Sequence, residues 1–247
     1  MAFIFPKWTN DIPRLIAPLL AVGGGFVTFA VWFWFSPLHT DVGYAPQQPI
    51  PYSHKLHAGL QQGELGLDCR YCHNNVERSA NAGVPPTQTC MNCHQQVKVG
   101  SPRLQPMRDS WGDGTAATDG GGIPWKRVHQ IPDYAYFPHS AHTAIVHKGV
   151  AVGCQTCHGR IDEMVVVHQV EPLSMSWCMD CHNNPAPHLR PIAELTNMLW
   201  QPDAAWLVKA EEIAKDLHPP GNKNSVTTLP DGQVIVRATA GCTGCHR

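Results

Sequence analysis

Residues 69–94, CRYCHNNVERSANAGVPPTQTCMNCH, contain two copies of the pattern C-x-x-C-H and set the character of the whole chain. Three more copies follow, at residues 154–158, 178–182 and 242–246, so that the five copies use all ten cysteines. C-x-x-C-H is the attachment signature of a c-type haem: both thiols bond to the haem vinyl groups, and the adjacent histidine becomes the proximal iron ligand. The pattern predicts five covalently bound haem c groups.

We number these motifs first to fifth in chain order. The predicted attachment cysteines are Cys69 and Cys72, Cys90 and Cys93, Cys154 and Cys157, Cys178 and Cys181, and Cys242 and Cys245. The predicted proximal iron ligands are His73, His94, His158, His182 and His246.

Three other uses of cysteine compete with the haem interpretation. A single C-x-x-C is also found in thioredoxin-like redox pairs and as half of a zinc site. Zinc sites use two such units each, so five units would leave one without a partner. A disulfide framework does not require a histidine after every second cysteine. Each alternative suits one motif, and none suits the set.

Composition predicts how the haems and the chain share the interior. Five motifs divide about 200 residues outside the N-terminal segment, roughly 40 residues each, too few to build an ordinary core around each cofactor. The 22 prolines and 21 glycines favour loops. We therefore expect a mainly α fold with extensive irregular loops, in which the haems form the core. The formal net charge of −1 gives no indication of nucleic-acid binding.

The N-terminal segment predicts a membrane anchor. Residues 15–35, LIAPLLAVGGGFVTFAVWFWF, form an uncharged apolar stretch long enough to cross a bilayer as a helix. Lys7 and Arg14 precede it, and the next basic residue is Lys55. By the positive-inside rule we expect a single pass through the cytoplasmic membrane, with the N-terminus cytoplasmic and the haem domain on the periplasmic side. A cleaved signal peptide is the alternative, but no clear small-x-small cleavage pattern follows the stretch.

The haem region contains an internal repeat. Two histidines and one C-x-x-C-H motif recur 85 positions further along the chain, together with a preceding aromatic residue, Tyr52 in one copy and Phe137 in the other. We therefore expect two dihaem modules and five segments in all. These are a membrane anchor at 1–40, a first module at 41–105, a Gly-rich linker at 106–128, a second module at 129–190 and a C-terminal segment at 191–247 that carries the fifth haem.

Two elements are predicted in the C-terminal segment. Residues 202–217 favour a helix with Asp203 as N-cap, and Trp206, Ala210, Ile213 and Leu217 form one apolar stripe. Residues 227–238 place a Pro-Asp-Gly turn between two β-prone runs, which is typical of a hairpin.

The repeat also selects distal iron ligands from the remaining histidines. An H-x-x-H pair lies fifteen and twelve residues before the first cysteine of the next motif in both modules. Residues three apart share one face of a helical turn. The distal ligands predicted for four of the haems are His54, His57, His139 and His142.

The fifth distal ligand stays open at this stage. His129 lies ten residues before His139 and is the first candidate, Met175 is the second, and Met164 is the other sulfur candidate. A thioether ligand would raise the potential of its haem relative to a bis-histidine haem. If all five irons have two axial ligands, no iron is open to a substrate. The surplus of histidines thus favours an electron relay without an independent catalytic site.

Several stretches resemble one known family. They are QPIPYSHKLHAG, LGLDCRYCHNNVERSANAGVPPTQTCMNCH, WKRVHQIPDYAYFPHSAH, GCQTCHG and PLSMSWCMDCHNNP. Over nearly its whole length, the chain resembles the pentahaem cytochrome c component of bacterial alternative complex III, a quinol:electron-acceptor oxidoreductase. The H-x-x-H arrangement is also similar to class III cytochromes of the c7 and c3 types.

This resemblance implies partners that spacing does not. Quinol would be oxidised in other subunits, next to an iron–sulfur protein and integral quinol-site subunits. Electrons would then pass through this chain to a monohaem cytochrome or to a soluble acceptor such as a cytochrome c or a blue-copper protein. The sequence leaves two other functions open: an anchored multihaem quinol dehydrogenase feeding a periplasmic reductase, with an open haem near His39, and a multihaem reductase of a small oxyanion.

Overall fold

The chain is described here from a computed structural model, which covers residues 6–34, 41–112, 122–145, 148–217, 226–228, 234–236 and 242–246. Its contacts divide it into two units, Met1–Thr40 and Asp41–Arg247. The finer division of the second unit into modules stays a prediction.

The N-terminal unit is one long apolar helix. A 3₁₀ turn, Lys7–Asn10, precedes α1, Ile12–Trp34. The helical region Trp8–Trp34 contains an 18-residue stretch with a mean hydropathy of 2.0, none of which is buried, and by length and composition the region is enough to cross a membrane. Helix α1 continues through Pro18 and begins three residues before the predicted stretch. Phe35, its predicted last residue, lies outside the described residues.

Short helices dominate the second unit. They are α2 (His54–Ala58), α3 (Cys69–Cys72), α4 (Thr87–His94), α5 (Gln105–Trp111), α6 (His139–Thr143), α7 (Cys154–His158), α8 (Met175–Asn183), α9 (Ala204–Leu217) and α10 (Cys242–Cys245). Short 3₁₀ turns stand at Pro102–Leu104, Ile161–Glu163, Ala186–His188 and Ile192–Glu194. The expectation of a mainly α fold with one N-terminal apolar helix is confirmed.

Side-chain caps begin several of these helices. Ser53 accepts a hydrogen bond from the Leu56 N–H at the start of α2, and Asp68 accepts one from the Arg70 N–H at the start of α3. Ser174 does the same for α8 through the Trp177 N–H. A helix of four to nine residues is not stable by itself, so the caps and the packing of the unit hold these turns in place.

Strands are few and three residues long. β1 (Val150–Val152) pairs antiparallel with β2 (Leu189–Pro191), and Ala151 lies opposite Arg190. This pair was not predicted from the sequence. β3 (Val226–Thr228) pairs antiparallel with β4 (Val234–Val236), which confirms the predicted hairpin. Its Pro-Asp-Gly turn lies outside the described residues.

Two small apolar clusters form part of the protein core among the described residues. One contains Met91, Met107 and Ile50. The other joins Val150 and Leu189 to the apolar stripe of α9, of which Ala210 and Leu217 are buried and Trp206 and Ile213 partly buried. The backbone N–H of Trp206 donates to the Asp203 carboxylate at 2.7 Å, which confirms the predicted N-cap, and α9 itself confirms the predicted helix. That the haems fill the remaining interior stays a prediction.

Candidate haem-binding sites

The two cysteines of each C-x-x-C-H motif lie on one short helix. The pairs of cysteines fall on α3, α4, α7, α8 and α10, and a separation of three residues places both on the same helical face. None of the nine cysteines with described side chains is in a disulfide. The side chain of Cys242 lies outside the described residues. Both thiols of a described motif are therefore available to one porphyrin edge.

Three predicted distal histidines lie opposite predicted proximal ones. The ring centroids are 6.3 Å apart for His57 and His94, 6.5 Å apart for His139 and His158, and 6.0 Å apart for His142 and His182. Each pair joins one histidine of an H-x-x-H helix to the histidine of a C-x-x-C-H motif.

These spacings fit an iron atom between the rings. An imidazole nitrogen binds a metal at about 2 Å, and the ring centroid lies about 1 Å beyond it. Two imidazoles on opposite sides of one iron therefore have centroids about 6 Å apart. Among the described residues, no group of three or more His, Cys, Asp or Glu side chains is arranged to hold a metal ion. The paired arrangement suits the two axial positions of a haem.

Backbone carbonyls fix the tautomer of six of the predicted iron-ligand histidines. A carbonyl oxygen accepts only, so the facing Nδ1 carries the proton and Nε2 keeps its lone pair for a metal. Such contacts between a ligating histidine and the backbone orient the ring and raise its basicity. The Nδ1–carbonyl pairs are His57 with Ser53 (2.8 Å), His73 with Gly83 (2.6 Å), His94 with Val97 (3.0 Å), His139 with Ala80 (2.8 Å), His142 with Pro138 (2.9 Å) and His246 with Tyr134 (3.1 Å).

Burial keeps several site histidines neutral. It lowers the pKa of His54 to about 4 and that of His158 to about 3, with neighbouring imidazoles adding to both shifts. Burial also lowers the pKa of His142 and His129. A histidine must be unprotonated at its ligating nitrogen to bind a metal, so these side chains are in the required state at neutral pH.

The repeat seen in the sequence is also a repeat in geometry. Tyr52 stacks on His57 with centroids 4.5 Å apart and planes at 23°, and Phe137 stacks on His142 at 4.5 Å and 27°. The same aromatic rings stand edge-on to the first histidine of each pair, His54 and His139. The recurrence of the aromatic residue is visible in the sequence, but this supporting contact is not.

His54 and His73 occupy the repeat positions of the His139 and His158 pair. His73 is the neighbouring group that contributes most, after burial, to the lowered pKa of His54. The Nδ1 atom of His54 is buried without a hydrogen-bond partner, whereas Nδ1 of His139 meets the Ala80 carbonyl. The two halves of the repeat therefore differ at this atom.

The fifth motif lies against the segment that precedes α6. The Tyr136 N–H donates to the Cys245 carbonyl at 2.8 Å, and the Tyr134 ring lies 5.6 Å from that of His246. The sequence did not predict this docking, because the contact joins backbone atoms more than 100 positions apart.

The three candidates for the fifth distal ligand are placed differently. The Nε2 atom of His129 lies 3.2 Å from Nδ1 of His158. Met175 is the first residue of α8 and is 72% exposed. The backbone carbonyl of Met164 accepts from the Lys55 N–H at 3.0 Å, beside α2.

Neighbouring motifs can be followed through their thiols. Cys72 interacts electrostatically with Cys90, and Cys157 with Cys181. The thiols of Cys69 and Cys154 are also neighbours, and the thiol of Cys178 interacts electrostatically with that of Cys245. Along these neighbouring thiols the motifs follow one another in the order second, first, third, fourth, fifth.

A cavity of about 480 Å³ adjoins the fourth motif. Cys181 and Trp177 of α8 line it, together with Gln155 of α7, and Arg190 lies at its wall beside Trp200. Arg190 is 4% exposed, with its guanidinium carbon 5.0 Å from the Trp200 ring centre. A Cβ on Gly153 would collide with this guanidinium, so any larger residue there would force Arg190 to shift.

Comparison with known proteins gives one curated relative and no family assignment. No protein-family profile matches the chain. Over 135 residues, 54% of this chain, it is 28% identical to the multihaem cytochrome c subunit of menaquinone reductase from Nitratidesulfovibrio vulgaris. The chain spans about half of that relative, 56% of its length. The similarity supports a multihaem c-type cytochrome and does not specify the complex.

Proposed function

We propose that this protein is a membrane-anchored pentahaem c-type cytochrome that relays electrons within a quinol:acceptor oxidoreductase of the alternative complex III type. The observation that carries the proposal is the set of three histidine pairs with centroids 6.0 to 6.5 Å apart, each next to a C-x-x-C-H helix. When bound, haem iron supplies one-electron redox chemistry between its ferric and ferrous states.

The paired histidines favour a relay over a catalyst. A haem enzyme that transforms a substrate needs an iron position open to it, whereas a histidine on each side fills both axial positions. Repeat symmetry assigns His54 and His73 to a fourth pair. His246 has its Nδ1 on the Tyr134 carbonyl and serves as the proximal ligand of the fifth haem. The candidates for the distal ligand of this haem are His129, Met175 and Met164.

The order of the motifs supports one path through the protein. The second and fifth motifs lie at the two ends of the series of neighbouring thiols, and the first, third and fourth lie between them. Helix α6 links two of these positions, because His139 faces His158 and His142 faces His182. Electrons would enter near one end and leave near the other.

Partners follow from the resemblance and from the membrane helix. In the proposed complex, an iron–sulfur protein and integral quinol-site subunits deliver the electrons. A monohaem cytochrome, a soluble cytochrome c or a blue-copper protein accepts them. The apolar helix α1 holds the chain in the cytoplasmic membrane, with the haem unit on the periplasmic side.

A second possible function uses the same cofactors, but with electron transfer in the opposite direction. The curated relative is named as part of a menaquinone reductase, an activity in which electrons go toward the quinone. In that case this chain would accept electrons from a periplasmic donor and pass them into the membrane. The predicted alternative of an anchored quinol dehydrogenase would need an open haem near His39, which lies outside the described residues.

The test is a haem count combined with spectroscopy on the membrane-extracted complex. We expect five haems per chain by pyridine haemochrome and peptide mass, and five low-spin ferric signals by electron paramagnetic resonance. Adding a reduced quinol analogue to the whole complex should reduce these haems, while the separated chain should not react. Quinol oxidation by the separated chain, or a high-spin haem that responds to quinol, would contradict the proposal. Haem reduction only by a periplasmic donor would favour the reverse direction.

A further inference from the structure

His158 has an imidazole neighbour on two sides. The ring of His139 is nearly parallel to it, at an interplanar angle of 10° and 6.5 Å between centroids. The ring of His129 meets it edge-on, at 79° and 4.3 Å, with Nε2 of His129 3.2 Å from Nδ1 of His158. His139 is spaced to supply the second axial ligand of a haem on Cys154 and Cys157, and His129 contacts Nδ1 of His158, the nitrogen that would not bind the iron.

This contact differs from that of three other proximal histidines. The Nδ1 atoms of His73, His94 and His246 all face backbone carbonyls. At His158 the carbonyl is replaced by a side-chain nitrogen. A ligand that binds iron through Nε2 carries its proton on Nδ1, so His158 is the donor and His129 the acceptor.

The surroundings hold His129 in this position. The N–H of the next residue, Gln130, donates to the side chain of Gln169 at 3.1 Å, and Arg127 donates from Nε to the His129 carbonyl at 2.9 Å. Gln169 is fully buried, and its own N–H donates to the Tyr44 carbonyl at 3.1 Å. The backbone that follows His129 is therefore held against the buried Gln169, and Arg127 adds a local hydrogen bond to the His129 carbonyl.

We infer that His129 is a positioning residue for the proximal ligand of the third haem, with its Nε2 accepting a hydrogen bond from Nδ1–H of His158. The inference rests on the proposed function, because it requires a haem on Cys154 and Cys157. An imidazole nitrogen is a stronger acceptor than an amide carbonyl, so His158 becomes more electron-rich and stabilises ferric iron. The third haem then has a lower midpoint potential than the same haem without His129. This role differs from that of an axial ligand to the fifth haem, which the sequence suggested.

The experiment compares three variants of the full chain in its complex. His129→Leu removes the acceptor, and His129→Gln keeps an acceptor oxygen. His168→Leu is the matched control, since His168 is a half-buried histidine that interacts electrostatically with His129 and has its Nδ1 3.4 Å from the Val166 carbonyl. The readouts are the five midpoint potentials from a spectroscopic redox titration and the low-temperature electron paramagnetic resonance spectrum.

We expect His129→Leu to raise one of the five midpoint potentials and to leave all haems low-spin. A tenfold change in the ferric–ferrous equilibrium, about 59 mV for one electron, is the scale to resolve. His129→Gln should restore much of the lower value, and His168→Leu should change nothing. Appearance of a high-spin haem in His129→Leu would identify His129 as an axial ligand and overturn the inference, as would unchanged potentials. If peptide mass finds no haem on Cys154 and Cys157, the proposed function itself fails, which is a distinct result.

Discussion

The ring of Tyr52 lies flat against the imidazole of His57, with centroids 4.5 Å apart and planes at 23°. Phe137 and His142 reproduce the contact at 4.5 Å and 27°. In addition, Nδ1 of His57 faces the Ser53 carbonyl, and Nδ1 of His142 faces the Pro138 carbonyl. Ser53 and Pro138 each come directly before the first residue of the helix that carries the histidine. Two independent contacts thus fix the orientation of each predicted distal ligand.

Removing the aromatic ring should loosen the ligand behind it. We expect Tyr52→Leu to broaden or shift the electron paramagnetic resonance signal of one low-spin haem, because an aromatic pair contributes about 0.5–1.5 kcal/mol beyond its buried area. Tyr52→Phe keeps the ring and should retain the wild-type signal. An unaltered spectrum in Tyr52→Leu would mean that the carbonyl contact alone orients His57.

Replacing a distal histidine should open one iron. We expect His57→Ala and His142→Ala each to convert one haem of five from low-spin to high-spin, since the facing residues His94 and His182 remain as single axial ligands. The combined variant should contain two high-spin haems. His168→Ala is the control and should retain five low-spin haems. The assignment is wrong for any histidine whose loss leaves every haem low-spin.

Asp68 should make stability depend on pH below about 4. Its hydrogen bond with Arg70 is the main cause that lowers its pKa from 3.8 to about 2. A carboxyl group whose pKa is lower in the folded state stabilises the fold at pH values above its pKa in the unfolded state. That contribution is lost as the pH falls from about 4 to about 2. Because the Asp68 side chain is 42% exposed, we expect only about 0.2–1 kcal/mol.

Asp68→Asn is the test, since asparagine also caps a helix and the change isolates the charge. Unfolding followed by circular dichroism should find the variant less stable at pH 6 and equal to the wild type near pH 2. Curves that stay parallel across this range would show that the Asp68 charge does not stabilise the fold.

The apolar stripe of α9 should matter to the stability of the second unit. Leu217 is 4% exposed in the core cluster, so Leu217→Ala should lower the free energy of unfolding by about 2–5 kcal/mol. Val208 lies on the same helix and is 63% exposed; Val208→Ala should change it by less than about 0.5 kcal/mol. Equal effects in a denaturant titration would indicate that another surface covers Val208.

The N-terminal unit should determine membrane attachment. Exchanging residues 1–40 for a cleavable secretory signal should yield a haem-loaded protein in the soluble periplasmic fraction, because the only apolar helix of membrane-spanning length among the described residues is removed. The unchanged chain should sediment with membranes and resist extraction by salt. Continued membrane attachment of the exchanged protein would point to retention by partner subunits.

The sequence predicted elements that depend on local patterns. The α9 helix, its Asp203 cap, the hairpin and the apolar N-terminal helix follow from periodicity, capping residues and turn residues, and the structure confirms them. The pair β1 and β2 was not predicted, because each strand has three residues and its pattern is too short to recognise. The carbonyls that hold the histidines carry no sequence signal, since every residue has one.

By itself, the sequence determined which residues are predicted to attach the haems and which histidines are the predicted proximal ligands. Each such set lies within the five consecutive residues of one motif. Repeat spacing also identified the H-x-x-H helices. Only the tertiary structure decided which histidine faces which, because the paired residues are 19 to 40 positions apart and their contact depends on how α2 and α6 pack. It also placed His129 against Nδ1 of His158. The backbone beside that contact is held by Gln169, a buried residue 39 positions from Gln130, and no local sequence pattern predicts an interaction over that separation.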